Sequence, residues 1–203
     1  MTGRTEGAPP ARPVVTGVVL AAGAGRRFGG PKALVPGWLA DRCSALADGG
    51  CTDVVVVLGA SASEASRLVP PGARVVVARD WERGLSASLA AGLAAARDGG
   101  AVAALVVLVD TPGLTARAVE RVLEATRGSS DDTDLSTALA QATYDGVPGH
   151  PVLLGRGHWD AVLTGADGDR GARDHLSRAD ALRVPCEDVA DGRDVDVRAP
   201  GPP

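Results

Sequence analysis

Four short apolar runs recur along the first half of the chain, at 14–21, 53–58, 74–78 and 102–109. They read VVTGVVLA, DVVVVL, RVVVA and VAALVVLV. The runs are continuously apolar rather than alternating, which predicts strands covered on both faces, as in a parallel sheet. Alanine-rich stretches separate them and predict helices over 37–48, 61–69, 84–97 and 114–127. The last of these opens at Thr115 or at the Pro112-Gly113 turn. Strands alternating with helices imply right-handed crossovers and a doubly wound α/β architecture.

The texture changes after residue 128. GSSDDTD is a polar loop, and 135–144 reads as one strand or a hairpin arm. A short strand is expected at 149–154, helices at 156–164 and 169–178, and a late strand at 181–185. No repeat marks a second domain. At 203 residues the chain suits one domain over 14–198, with flexible tails at 1–13 and 199–203.

Composition narrows the function classes. A chain of this length buries enough surface to fold without a disulfide or metal staple. An apolar fraction of 45% excludes disorder of the whole chain. No apolar run reaches the roughly 18 residues of a membrane span. A net charge of −4 and 2% aromatic residues argue against a nucleic-acid surface. Cys43, Cys51 and Cys186 form no CxxC pair, so free, mostly buried thiols in a reducing compartment are expected. MTGRTEGAPPARP has no apolar core of a secretory signal, and the expected location is cytoplasmic.

Ligands in such folds sit beyond the carboxyl ends of the strands. The loop leaving the first run reads LAAGAGRRFGGPK, from Leu20 to Lys32. Gly23, Gly25, Gly29 and Gly30 let backbone N–H groups approach an anion, and Arg26, Arg27 and Lys32 add full charges. A nucleotide triphosphate is the natural guest. Lys32 is the one lysine among 21 basic residues, so the position favours a compact ammonium over a guanidinium.

Two familiar nucleotide loops fail on named residues. A dinucleotide fingerprint needs GxGxxG, but the glycines at 23, 25 and 29 are spaced one residue too wide. The second run ends Leu58-Gly59-Ala60-Ser61, without an acid for a ribose. A Walker loop needs GxxxxGK[ST], but Pro31 separates Gly30 from Lys32 and Ala33 replaces the hydroxyl. At the end of the fourth run, Asp110 stands where a buried strand meets a turn. A carboxylate there either caps the turn or holds Mg²⁺ against bridging phosphates.

LAAGxGxRFGxxK resembles the signature of the molybdopterin-type nucleotidyltransferases, a Rossmann-like superfamily that includes sugar-phosphate nucleotidyltransferases. The resemblance implies a three-layer α/β/α nucleotidyltransferase with a doubly wound, mostly parallel sheet. It implies that Leu20, Ala21, Ala22, Gly23, Gly25 and Gly29 wrap the nucleotide, and that Arg27 and Lys32 neutralise its triphosphate. Asp110, followed by Pro112, matches the family's metal-binding aspartate. Asp80-Trp81 with Gly84, Ser88 and Gly92 resembles its third-strand exit and the next helix, with Ser88 facing the nucleotide. Ala78 or Arg79 stands where the family often carries Asn.

Two further segments, GVPGHPVLL and GDRGARDHL, resemble the molybdenum cofactor cytidylyltransferase branch, as does Ala22 in place of a second Gly. The resemblance gives His150 a place in a pterin-side pocket. Asp169 either caps the 169–178 helix or meets substrate. DGRDVDVRAP resembles the family's closing DxDTP, making Asp194 or, preferably, Asp196 a second metal carboxylate, although Val197 and Arg198 depart from the pattern. The segment between Lys32 and the second run is shorter than in family members, in a region that helps cover the nucleotide.

The implied activity is Mg²⁺-dependent transfer of CMP from CTP to the terminal phosphate of molybdenum-molybdopterin cofactor, releasing pyrophosphate. Implied partners are an NTP, a phosphate-bearing pterin and, transiently, a molybdoenzyme, with no nucleic acid and no membrane. Two alternatives stay open. One is a related nucleotidyltransferase using another NTP or acceptor, of guanylyltransferase or sugar-phosphate type. The other is a degenerate, non-catalytic cofactor-binding protein.

Overall fold

The computed structural model describes residues 13–127, 134–165 and 172–197. Seven strands form one sheet in the order β3-β2-β1-β4-β6-β5-β7. They are β1 Val15–Ala21, β2 Asp53–Leu58, β3 Arg74–Val77, β4 Ala103–Leu108, β5 Leu139–Tyr144, β6 Val147–Gly155 and β7 Leu182–Pro185. Neighbours pair in parallel except along β6, which runs antiparallel to both β4 and β5. The helices are α1 Trp38–Asp48, α2 Ala62–Ala65, α3 Leu85–Asp98, α4 Ala116–Arg127, α5 Trp159–Gly165 and α6 Arg173–Arg178.

The sheet separates two cores, as expected for helices on both faces. One side packs Leu39 and Leu46 of α1 and Val119 and Leu123 of α4 against Val19, Val56 and Leu105. The other packs Leu89 and Leu93 of α3 and Trp159 of α5 against Val18, Val57 and Leu154. Glycine permits the closest approach: a Cβ at Gly92 would lie 2.6 Å from Cγ1 of Val18. In α4 the buried set Ala118, Val119, Val122, Leu123 and Thr126 follows helical spacing. Its N-terminus is closed by Thr115, whose Oγ1 accepts from the Ala118 N–H at 3.2 Å.

The architecture matches the expectation except in one crossover. β4–α4–β5 runs the opposite way along the sheet from β1–α1–β2 yet lies on the same face, so its hand is opposite to the right-handed one expected. The other corrections are local. The run at 74–78 is not buried on both faces: β3 is an edge strand, with Val75 and Val77 exposed. The helix expected over 61–69 is one turn of α-helix followed by a 3₁₀ turn at Ser66–Leu68, ended before Pro70. The stretch at 135–144 opens as a 3₁₀ turn at Leu135–Thr137, and only β5 is extended. β6 is longer than the expected 149–154, because β5 and β6 are the arms of a hairpin. Asp145 (φ 51°) and Gly146 (φ 79°) form its two-residue turn, where positive φ at both positions suits the twist of the strands. The helix at 156–164 begins with a 3₁₀ turn at Arg156–His158. Asp169 and the early part of the helix expected over 169–178 lie outside the described residues, as do residues 1–12 and 198–203, which take in all but Pro13 of the tails expected at 1–13 and 199–203. No described helix is long and apolar enough to cross a membrane.

Candidate functional site

β1 and β4 are neighbours whose outgoing connections lead in opposite directions along the sheet, to β2 and to β5, so a crevice opens at their carboxyl ends. The loop from Gly23 to Pro31 fills one side of it. Gly25 is left-handed (φ 59°), and its carbonyl accepts from the N–H groups of Gly29 (2.9 Å) and Gly30 (3.1 Å). A Cβ at Gly25 would fall 1.9 Å from the Gly30 carbonyl oxygen, so this turn requires glycine. Gly29 therefore shapes the loop, while the backbone from Leu20 to Arg27 lines a cavity of about 510 Å³. Arg27, Lys32, Trp81, Ser88, Asp110 and Asp196 line it too. A Cβ at Gly23 would meet no atom within 4 Å, so the loop backbone there faces open space.

The charges meet at Lys32. Its Nζ donates to Oδ2 of Asp110 at 2.6 Å and to Oδ1 of Asp196 at 3.3 Å. Arg27 lies 3.8 Å from the other oxygen of Asp196. Lys32 and Asp110 are largely shielded, with side chains 14% and 15% exposed, whereas Asp196 is half exposed. Asp196 arrives on a strap, residues 186–197, that crosses the ends of β4 and β5. The strap is pinned where Asp191 N–H donates to Gly113 (3.2 Å) and Val195 N–H donates to the Asp110 carbonyl (2.9 Å). Of the two late aspartates, Asp196 therefore joins the first cavity, while Asp194 lines a second.

The second cavity is larger, about 1260 Å³, and touches the first at Leu20, Leu85 and Leu108. Its floor is aliphatic, formed in part by Leu89, Val106, Val152, Leu154 and Leu176. His150 stands in its wall, with Nδ1 3.1 Å from the Val106 carbonyl. Burial, the dominant influence, holds this imidazole below its ordinary pKa. Tyr144 donates its hydroxyl to the His150 carbonyl at 2.7 Å, and burial raises its phenol pKa, so it stays protonated.

Ser88 and His150 thus line different cavities, and the loop, Lys32, Asp110 and Asp196 share one. Sequence reasoning passed over Tyr144 and Arg173 of the second cavity, whose only sequence signal was proximity to His150 and to the helix at 169–178. It also passed over Arg42, on the buried face of α1, whose Nη2 donates to the Pro112 carbonyl (3.3 Å) behind Asp110. Nε and Nη1 of Arg42 have no partner among the described residues. All three cysteines are free and buried, and burial raises the thiols of Cys43 and Cys51 to about 11 and about 12. Neither supplies a thiolate at neutral pH.

The carboxylate pair fits a hard divalent cation. Asp110 and Asp196 share one ammonium, and carboxylate oxygens are the donors that Mg²⁺ or Mn²⁺ prefers. No cluster of three potential ligands occurs among the described residues, so phosphate oxygens and water would complete the shell.

The sequence profile of the MobA-like NTP transferase domain matches residues 17–183. Nicotine blue oxidoreductase of Paenarthrobacter nicotinovorans is 38% identical over 200 residues, spanning 91% of this chain and 93% of that protein. The crystal structure of Rv0371c from Mycobacterium tuberculosis H37Rv superposes with a TM-score of 0.72 at 26% identity. That match covers 92% of this chain and 95% of that one. A homologue from mycobacterium sp. strain JC1 gives 0.71 at 32% identity, covering 90% of each chain.

Proposed function

The chain belongs to the MobA-like NTP transferase domain family of nucleotidyltransferases, and we propose that it transfers CMP from CTP to the terminal phosphate of a molybdopterin cofactor. The observation that carries this reading is the pair of adjoining cavities, one lined by the glycine loop with Arg26, Arg27 and Lys32, the other floored by aliphatic side chains, meeting at Leu108 beside Asp110. The first holds the triphosphate and the second the acceptor. An oxygen of the acceptor phosphate attacks the α-phosphorus, the bond from that phosphorus to the bridging oxygen breaks, and pyrophosphate leaves. The acceptor phosphate is already largely ionised near pH 7, so no strong general base is required. The chain's own work is alignment and charge neutralisation in an in-line displacement.

The proposed roles divide between the two cavities. The backbone of Leu20, Ala21, Ala22, Gly23 and Gly25 wraps the nucleotide, with Ser88 beside it. Arg27 and Lys32 neutralise the phosphates, and Gly29 keeps the loop in shape. Asp110 and Asp196 would hold Mg²⁺, which when bound offsets charge on the α-phosphate and the leaving group. His150 belongs to the acceptor side. Product release to a molybdoenzyme by transient contact, and a cytoplasmic location, complete the reading.

A second reading starts from the Paenarthrobacter relative, which is named an oxidoreductase. In that case the first cavity holds the nucleotide end of a dihydronicotinamide donor, and hydride passes to an acceptor in the second.

One experiment separates the readings. Purified protein is incubated with molybdopterin cofactor, Mg²⁺ and each NTP in turn, and pyrophosphate is measured. A parallel arm follows loss of dihydronicotinamide absorbance. Pyrophosphate release with CTP and Mg²⁺ alone is the expected result. Release with GTP or ATP keeps the chemistry and moves the substrate. Nucleotide binding without pyrophosphate makes the protein a cofactor carrier, and dihydronicotinamide consumption without pyrophosphate establishes the second reading.

A further inference from the structure

The turn that leaves β4 carries Asp110, and its backbone is held at each residue from Asp110 to Gly113. Four successive carbonyls accept a hydrogen bond. Asp110 accepts from the Val195 N–H (2.9 Å), Thr111 from the Leu114 N–H (3.1 Å) and Gly113 from the Asp191 N–H (3.2 Å). Pro112 accepts from Nη2 of Arg42 (3.3 Å). The Thr111 hydroxyl adds a bond to the Leu108 carbonyl at 2.8 Å. The strap therefore gives two of the four, the turn gives one to itself, and α1 gives the last. Only that last bond comes from a side chain, so it alone depends on residue type.

Arg42 makes this bond at a cost to the fold. It stands on the buried face of α1 with Leu39, Cys43 and Leu46, and is 2% exposed. Nε and Nη1 have no hydrogen-bond partner among the described residues. A guanidinium buried against one neutral acceptor is poorly compensated, and an unbranched apolar side chain would fill the place at less cost. What an apolar chain could not do is hold the Pro112 carbonyl. Arg42 lines neither cavity, so its effect on a ligand has to pass through the turn. A burial rule broken beside a site is where a functional constraint is expected.

We propose that Arg42 is a positioning residue for the transfer: by holding the Pro112 carbonyl it fixes the turn that aims the Asp110 carboxylate at a divalent cation. This rests on the nucleotidyl-transfer reading above and adds to it a residue outside both cavities. Groups that orient a metal's carboxylate without touching the metal each change metal affinity by roughly ten- to a hundredfold. The nucleotide is held by the loop from Leu20 to Arg27 and by Lys32, and none of these bonds to Arg42 among the described residues. Loss of Arg42 therefore acts on the cation and spares the nucleotide.

The test titrates Mn²⁺, followed by electron paramagnetic resonance, into protein holding α,β-methylene-CTP, an analogue that cannot release pyrophosphate. Calorimetry follows the analogue alone, without metal, and a melt follows the fold. Arg42→Met keeps an unbranched chain and removes the donors. Its Mn²⁺ affinity should fall about tenfold or more, its metal-free analogue affinity should match wild type, and its Tm should hold or rise. Arg42→Lys, which returns one donor, should recover most of the Mn²⁺ affinity. If Arg42→Met does not fold, Arg42→Gln, too short to span to Pro112, replaces it, and the split between Mn²⁺ and analogue decides. Mn²⁺ affinity equal to wild type overturns the proposal. So does a joint loss of Mn²⁺ affinity, analogue affinity and Tm, which marks a structural residue only. Either outcome leaves the transfer reading standing, because wild type still binds cation and analogue. Wild type that binds neither removes that reading, and the positioning role falls with it.

Discussion

Lys32 is surrounded by groups that suit an ammonium and not a guanidinium. Two carboxylates approach its nitrogen, at 2.6 and 3.3 Å, and the Phe28 ring lies 5.8 Å from it. A compact charge with rotatable donors serves both carboxylates in this space, whereas the planar fork of arginine needs a wider opening. Lys32→Ala should therefore lower kcat about a hundredfold or more, and Lys32→Arg should recover little of it. Single-turnover rates with saturating CTP would check this, and full activity in Lys32→Arg would refute the argument. At this scale much was legible: one lysine among arginines, glycines bounding a strand, and an aspartate at a strand end all sit in the crevice. Arg42 was not legible, because a helix-face arginine carries the same sequence signal whether it faces solvent or lies buried behind the Asp110 loop.

Elements were legible where periodicity was long and uniform. β2 matches its expected span, and α1, α3 and α4 fall within two residues of theirs. The late region was harder, because the hairpin's register is set by a two-residue turn and its pairing is non-local. The Tyr144-Asp145-Gly146-Val147 sequence carried that turn signal. α6 is tied to the rest of the fold by a pair of histidines that no sequence pattern announces. His158 Nε2 lies 2.9 Å from the Thr137 carbonyl and donates to it, and His158 Nδ1 lies 3.1 Å from His175 Nε2. Burial first, then the neighbouring His158 and Arg178, lowers the His175 pKa. His150 is lowered too, chiefly by burial. A depressed histidine pKa means the unfolded chain binds more protons, so stability rises with pH through this window. Melting temperature should thus fall as pH drops below about 6.5, the ordinary histidine value. In His175→Gln this acid-side slope should be shallower, and an unchanged slope would assign the effect elsewhere.

The whole molecule couples its two cavities through the strap. One segment carries Asp194 to the second cavity and Asp196 to the first, and is hydrogen-bonded to the backbone of Asp110 and Gly113 between them. Its close approach to the sheet is made at Gly192, where a Cβ would lie 2.0 Å from the Tyr144 ring. That ring in turn holds the His150 carbonyl. No local pattern in the sequence reveals this link, since it joins residues far apart along the chain through one glycine's lack of a side chain. Gly192→Ala must move the strap, the ring or both. The loop from Leu20 to Arg27 meets the strap at the 3.8 Å approach of Arg27 to the half-exposed Asp196, a weak exposed pair, so nucleotide affinity measured without metal should stay within about twofold of wild type. KM for the metal and KM for the acceptor should rise together, because Asp196 and His150 are displaced by the same shift. A change confined to one of the two constants would mean that the strap does not link the cavities. The variant's melting temperature separates a shifted strap, with a fall of a few degrees, from a collapsed fold.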